Sequence, residues 1–274
     1  MVPRQTVGTR QRGALHRMAI RWAAVGGVTA VLTCVAFVFD GYLLPWFDDQ
    51  SLPGDVRKAI HLSEAFAHGF GVLAILLTLW VATEGETRRR VAAAALITLV
   101  CGGLGNLTKG LFLRVRPHAA QDYVLSTGWG VRIAIPIQPR ETAEELPFRW
   151  RDSRIRAFPS GHAATAWGLA IGLTIVAPRG LPMFILLAIV ASLQRVFAGA
   201  HYMSDVLAGA SLAMFSGALL LRWPVLAHWL HGSLTDNDRE RQRRSGDGHL
   251  PTAKGASMPL DNIPETQDHS PGEL

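Results

Sequence analysis

Charge is scarce in this chain, and what there is sits in short stretches. Only 18% of its 274 residues are charged against 49% apolar, a balance that excludes the evenly charged surface of a soluble domain. It has two cysteines, Cys34 and Cys101, both inside apolar runs, so a disulfide framework is excluded and each thiol reads as a small buried hydrophobe. There is no clear acidic metal cage. The nearest approach, His61, Glu64 and His68, reads as an interfacial polar stripe lining substrate access, since zinc sites generally need three or four well-placed ligands; no metal and no cofactor are expected. Lysine is rarer still, at three residues against 24 arginines. No internal repeat is present.

What the chain does have is a series of long apolar runs. Residues 22–39, 91–108 and 206–221 are each near the ~20 residues that cross a ~30 Å hydrocarbon core. Residues 66–82 are interrupted only by His68, residues 163–178 carry no charge, and residues 181–193 reach a usable length if their helix continues past Arg195. The predicted fold is therefore all-α, a bundle of six transmembrane helices over residues 22–223. A basic flank over 1–21 precedes it, and an interfacial segment over 224–232 and a disordered tail over 233–274 follow. The first run is full-length and lacks a persuasive cleavage site after it, so it is expected to remain as an anchor.

Orientation follows from the basic residues. Arg4, Arg10, Arg12, Arg17 and Arg21 precede the first run without one acid, and Arg88, Arg89 and Arg90 lie before the third; both places belong in the cytoplasm. The connection over 40–64 carries five acids against Arg57 and Lys58 and suits the outside. The connection over 114–158 has eight arginines against five acids, yet alternation of spans places it outside too. There Trp129, Ile133, Ile135 and Trp150 would rest at the interface while Arg149, Arg151 and Arg154 meet anionic headgroups. Six crossings leave both termini in the cytoplasm.

The chemistry is written at the helix ends. Lys109 and Arg116 are seven positions apart, two turns on one face if the third helix continues that far; alone, they also read as snorkelling cations before the helix-ending Pro117. Ser160, Gly161 and His162 begin the fourth helix. An N-cap serine, a glycine that lets a ligand approach the main chain and a positive helix terminus make an anion site, though they also describe an ordinary helix start. Arg195 is followed by His201 and Asp205, four apart, so Asp205 orients the imidazole from one turn away if the last helix has begun by then; otherwise a loop must join them. A capping Asp beside an interfacial His is the plainer reading of that pair, but an Arg in a span is expensive unless paired or functional.

Taken together and in this order, these three segments closely resemble the signature of the type 2 phosphatidic acid phosphatase superfamily, K-x6-RP, PSGH and SR-x5-H-x3-D. Lys109, Arg116 and Pro117 fill the first part, Pro159 to His162 the second, and Arg195, His201 and Asp205 the third. Gln194 departs from the usual Ser, which implies a changed hydrogen bond around the phosphate. The resemblance implies an integral-membrane lipid phosphatase in the bacterial inner membrane, acting without a metal from the extracytoplasmic ends of helices three to six. His201 would be the nucleophile, Asp205 its orienting partner and His162 the acid and base. Lys109, Arg116, Ser160, Gly161 and Arg195 would hold the phosphate. Candidate substrates are phosphatidic acid, phosphatidylglycerol phosphate, undecaprenyl diphosphate and a lipid A phosphate; the partners expected are membrane lipids, not nucleic acid. A lipid-linked phosphotransferase, or a transporter or binding protein without turnover, uses the same cations and is separated from a hydrolase only by assay. Gly209, Ala213 and Gly217, with Gly102, Gly103 and Gly105, are expected to allow close helix contact, and Asn106 and Thr108 to hydrogen-bond between helices.

Overall fold

A computed structural model describes residues 5–47, 49–109, 111–119, 125–126, 132–133, 138–139, 153–226 and 229–230. Each of the six apolar runs is helical. The helices are α1 (Gln5–Leu43), α2 (Gly54–Leu62), α3 (Gly69–Ala82), α4 (Gly85–Thr108), α5 (Gly161–Val176), α6 (Leu181–Phe197) and α7 (Met203–Arg222). Two antiparallel pairs of two-residue strands lie between α4 and α5: β1 (Phe112–Leu113) with β4 (Gln138–Pro139), and β2 (Leu125–Ser126) with β3 (Arg132–Ile133). The expected roles of Trp129, Ile135, Arg149, Trp150 and Arg151, and the tail over 233–274, fall outside the described residues.

Four stretches are long and apolar enough to cross a bilayer: Gly13–Trp46, Gly85–Thr108, Pro178–Phe197 and Met203–Arg222. The second expected span is a bent pair, with Gly54–Phe66 and Gly69–Ala82 meeting at 66°. His68 makes the break: its backbone is extended, and its Nδ1 caps α3 by accepting from Phe70 N at 3.4 Å. The fourth, α5, has 16 residues and so rises about 24 Å, short of the ~30 Å core. Exposed Val31, Val38, Phe70, Leu73, Leu107 and Leu219 form an apolar outer surface that suits acyl chains rather than water. The chain reads as an integral membrane protein, nearly all helical, with four or five candidate spans.

Packing explains why α5 is tolerated at that length. It lies at the centre, against α4, α6 and α7, with 13 of its 16 residues buried, while α1 lies along α7. Small residues allow this approach: a Cβ at Gly105 would meet that of Ala164 at 2.8 Å, and one at Gly172 would meet Ala94 Cα at 2.7 Å. Of the expected small-residue contacts, Gly102 faces Thr165, Gly209 faces the Ser160 carbonyl and Gly217 faces Ile171, whereas Gly103 faces open space. Thr108 does not reach another helix; its hydroxyl donates to Leu104 O of its own turn at 2.8 Å, the local bond a helical threonine most easily makes. Leu226 and Leu230, in the segment expected at the interface, are buried against the core.

Candidate active site

The end of α4, the start of α5, the end of α6 and the start of α7 come together at one end of the bundle. Lys109 caps α4 and is 8% exposed. The shared helical face expected for Lys109 and Arg116 does not form, because the helix stops at Thr108 and the chain becomes extended. Arg114 N donates to Ile155 O at 2.9 Å, Arg116 N to Arg154 O at 2.8 Å and Ala157 N to Arg114 O at 3.0 Å. Extended backbone is what Pro117 favours in the residue before it. The two cations nevertheless share one environment. Burial, followed by the charges of Arg116, Arg156 and Arg195, lowers the pKa of Lys109 to about 8. Burial and then Arg195 likewise depress Arg116.

Ser160 is fully buried and caps α5, its hydroxyl accepting from Ala163 N at 3.4 Å. Its own N–H donates to Asp205 O at 2.9 Å, which fixes the start of α5 against α7. Gly161 is required by crowding, since a Cβ there would stand 2.6 Å from Asn106 Oδ1 and 3.5 Å from Lys109 Nζ. The first turn of α5 thus faces the lysine directly, with the positive terminus of the helix beside it. His162 is half-buried, its Nε2 3.8 Å from Glu64 Oε1 and its ring 6.1 Å from that of His68.

The bent second span supplies what the motifs omit. Arg195 donates to Glu64 Oε1 at 2.7 Å. Gln194, 1% exposed, reaches His61 Nδ1 at 3.3 Å and Glu64 Oε2 at 3.4 Å through its amide nitrogen, and its carbonyl accepts from Arg195 at 3.3 Å. The amide therefore spans a gap to the second span that a serine in its place could not cross. His61, Glu64 and His68 do not lie along one helical face, because the break at Ala67–His68 divides them. They border His162 and Arg195 instead.

His201 is delivered by a loop, the second of the two arrangements the sequence left open. Gly199, in the left-handed region at φ 61°, ends α6, and the chain folds back so that Ala200 N and His201 N both donate to Arg195 O, at 3.1 and 3.2 Å. α7 begins at Met203, and Asp205 in its first turn accepts from Tyr202 N at 2.9 Å. The carboxylate Oδ2 is 3.6 Å from His201 Nδ1, longer than a hydrogen bond. The imidazole is wholly buried, and among the described residues neither of its nitrogens has a hydrogen-bond partner. Burial, partly offset by Asp205, lowers its pKa to about 4, so the ring is neutral at pH 7.

Asp205 is itself gripped from behind by residues the sequence reading passed over. Arg114, 1% exposed, donates to Asp205 Oδ1, to Ser204 Oγ at 2.7 Å and to Asp40 Oδ2 at 2.7 Å. Asp40, at the end of α1, also accepts from Ser204 N at 3.1 Å and from the Ser204 hydroxyl. The guanidinium stacks 4.1 Å from the Tyr202 ring and 5.0 Å from Phe37. Burial works against its charge, but Asp205 and Asp40 together outweigh this and raise its pKa further. An acid at the end of an apolar run was the available sign, since such a group is rarely left without a partner.

The arrangement therefore sets a buried imidazole beside Lys109 and Arg116, which in turn lie near Arg156 and Arg195. The Nε atoms of Arg116 and Arg195 are buried without a partner among the described residues. Donors and charge of this kind suit a compact polyanion such as a phosphoryl group.

Residues 90–229 match the PAP2 superfamily. The chain is 33% identical over 120 residues to the lipid A 1-phosphatase of Rhizobium johnstonii, an alignment covering 43% of this chain and 42% of that protein. It is 32% identical over 120 residues to the lipid A 1-phosphatase of Rhizobium etli, covering 43% and 44%. The chain thus aligns with less than half the length of either relative. No solved structure matches it significantly. Since the family match takes in more than half of the chain and all three motif segments, this protein belongs to the PAP2 superfamily.

Proposed function

We propose that this protein is an integral-membrane phosphatase that hydrolyses a lipid phosphate through a phosphohistidine. One observation carries the reading: a fully buried His201 whose nitrogens have no hydrogen-bond partner among the described residues, with Asp205 3.6 Å from Nδ1 and with Lys109 and Arg116 near enough to act on its charge. The Nε2 lone pair attacks phosphorus, and the bond from phosphorus to the lipid oxygen breaks. Asp205 closes the 3.6 Å gap to Nδ1–H and stabilises the imidazolium that forms. Lys109, Arg116 and Arg195, with the Ser160 hydroxyl and the Gly161 amide, hold the non-bridging oxygens where charge accumulates. His162 protonates the departing oxygen and then takes a proton from the water that releases phosphate. Fixed cations supply the electrostatics of every step, so the reaction runs in chelator.

The membrane setting argues for an amphiphilic substrate whose headgroup reaches the helix ends. The two relatives are named for acting on lipid A at its 1-phosphate, and a lipid A phosphate is the first substrate to try, ahead of phosphatidate, phosphatidylglycerol phosphate and undecaprenyl diphosphate. In this reading the chain crosses six times, with α2 and α3 as one bent crossing and α5 as a short crossing sheathed in protein. Both termini are cytoplasmic and the site faces the extracytoplasmic side of the inner membrane.

The test is phosphate release by the purified chain from these lipids in chelator, with and without candidate acceptor alcohols to separate a hydrolase from a phosphotransferase. His201→Ala should lower turnover roughly a thousandfold or more, and label from the substrate should appear on His201 in an acid-labile form. Turnover by the variant at the parent rate would rule out His201 as nucleophile. Binding without turnover of any of these lipids would favour a transporter or binding protein.

A further inference from the structure

The end of the bundle remote from His201 holds a cavity of about 630 Å³ that the phosphatase chemistry does not use. It is lined by the first part of α1, the start of α4, α5 from Trp167 onward, the start of α6, and Leu230 beyond α7. Trp22 and Trp167, in edge-to-face contact at 6.3 Å, belong to its lining, along with Leu181 and Ile185. From Trp22 to Asp40 along α1, and from Arg90 to Lys109 along α4, the helical rise is about 27–29 Å. The polar edge of the cavity therefore lies about one hydrocarbon thickness from the catalytic end, at the opposite face of the bilayer, and its apolar wall runs inward from there as far as Trp167.

Its lining changes character at one edge. Arg17 and Arg21, one turn apart on α1, and Arg90 on α4 line it together with a single acid, Glu86. Arg90 is bound to Glu86. Arg17 and Arg21 are exposed, and neither forms an ion pair or hydrogen bond with another described residue. An apolar pocket of this size, with a few convergent polar groups, is the form of a ligand site. Two unpaired guanidiniums at the membrane surface select a phosphate among ligands that also carry an acyl chain.

We propose that this cavity binds one anionic glycerophospholipid of that leaflet, its phosphodiester held between Arg17 and Arg21 and an acyl chain laid along Trp22 and Trp167. The inference does not rest on the phosphatase reading. Phosphatidylglycerol is the probe, because it has a phosphodiester and no terminal phosphoryl group for His201 to take.

The full chain, delipidated in mild detergent, would be titrated with phosphatidylglycerol or phosphatidylcholine and read by native mass spectrometry. One phosphatidylglycerol should bind per chain, roughly tenfold or more tighter than phosphatidylcholine, and the double variant R17Q/R21Q should lose that preference. The inference is overturned if the parent chain binds the two lipids equally, or if R17Q/R21Q keeps the preference. The comparison of the two lipids on the parent chain needs no variant, so a poorly folding R17Q/R21Q leaves the test intact.

Discussion

Replacing Arg114 by Met tests whether the buried clamp behind Asp205 matters to the site in front of it. The arginine side chain is wholly enclosed and bridges Asp40 and Asp205. Methionine fills much of its volume but leaves two carboxylates buried without their counter-charge. Breaking a buried pair from one side costs about 3–5 kcal/mol, and at about 2–4 °C per kcal/mol R114M should melt roughly 6–20 °C below the parent. Arg114→Lys keeps the charge but not the planar fork that reaches both acids, and should fall between the two. Adding Asp40→Asn to R114M removes one stranded carboxylate and should recover part of the loss, which a double-mutant cycle measures. Activity is then read well below each melting point, as phosphate release from a lipid phosphate in micelles. With Asp205 held only by Tyr202 N, the imidazole loses part of its orientation, and kcat should fall about a hundredfold. KM should change by less than about threefold, because Arg114 donates to Asp40, Ser204 and Asp205 and not to a group that would hold the phosphate. If R114M melts within about 2 °C of the parent and turns over within about twofold of it, the clamp has neither role.

Lys109 is charged below about pH 8 and neutral above it, so kcat/KM, which reports the free enzyme, should fall as pH rises through that value; Lys109→Arg should move this limb upward and out of range in a pH–rate profile. Glu64, its side chain one-third exposed, neutralises the more buried Arg195, so Glu64→Gln should let product phosphate inhibit at about two- to fivefold lower concentration, the modest factor that solvent screening allows. Gly209→Ala would bring a methyl 2.2 Å from the Ser160 carbonyl and should lower stability by about 3 kcal/mol in a thermal melt, whereas Gly103→Ala, which meets nothing within 4 Å, should be neutral or gain about 0.5–1 kcal/mol.

The helical class was legible because apolar runs of bilayer length leave few other solutions. The gathering of Lys109, Ser160, His162, Arg195, His201 and Asp205 was legible for a related reason: each lies at the end of such a run, and antiparallel packing brings alternate ends together. The bend between α2 and α3 was less so, since a single His and two flanking small residues look like a tolerable interruption of one helix. Arg116 was placed on a helix because seven residues make two turns; the extended path from Phe112 to Arg116 depends on hydrogen bonds to Arg154 and Ile155, some forty positions away. Arg114 and Asp40 are 74 residues apart, and one sequence gives no means of pairing them. Glu64 was noticed, but its partners Arg195 and His162 became visible only once the second span was seen to bend toward them.

The burial of α5 has a bearing on how such a protein can change over generations. Ser160, Gly161 and His162 stand on a rod whose neighbours already touch it on nearly every side, so even a methyl group there disturbs several helices at once. The bent pair α2 and α3 is less restrained: Phe66, Ala67 and Val72 are buried, but His61, Leu62 and His68 are exposed, and Phe70 is 80% exposed. Novelty in substrate choice therefore has a permissive place to arise, on the periphery beside the phosphate, while the reacting groups stay anchored to the part of the molecule least free to drift.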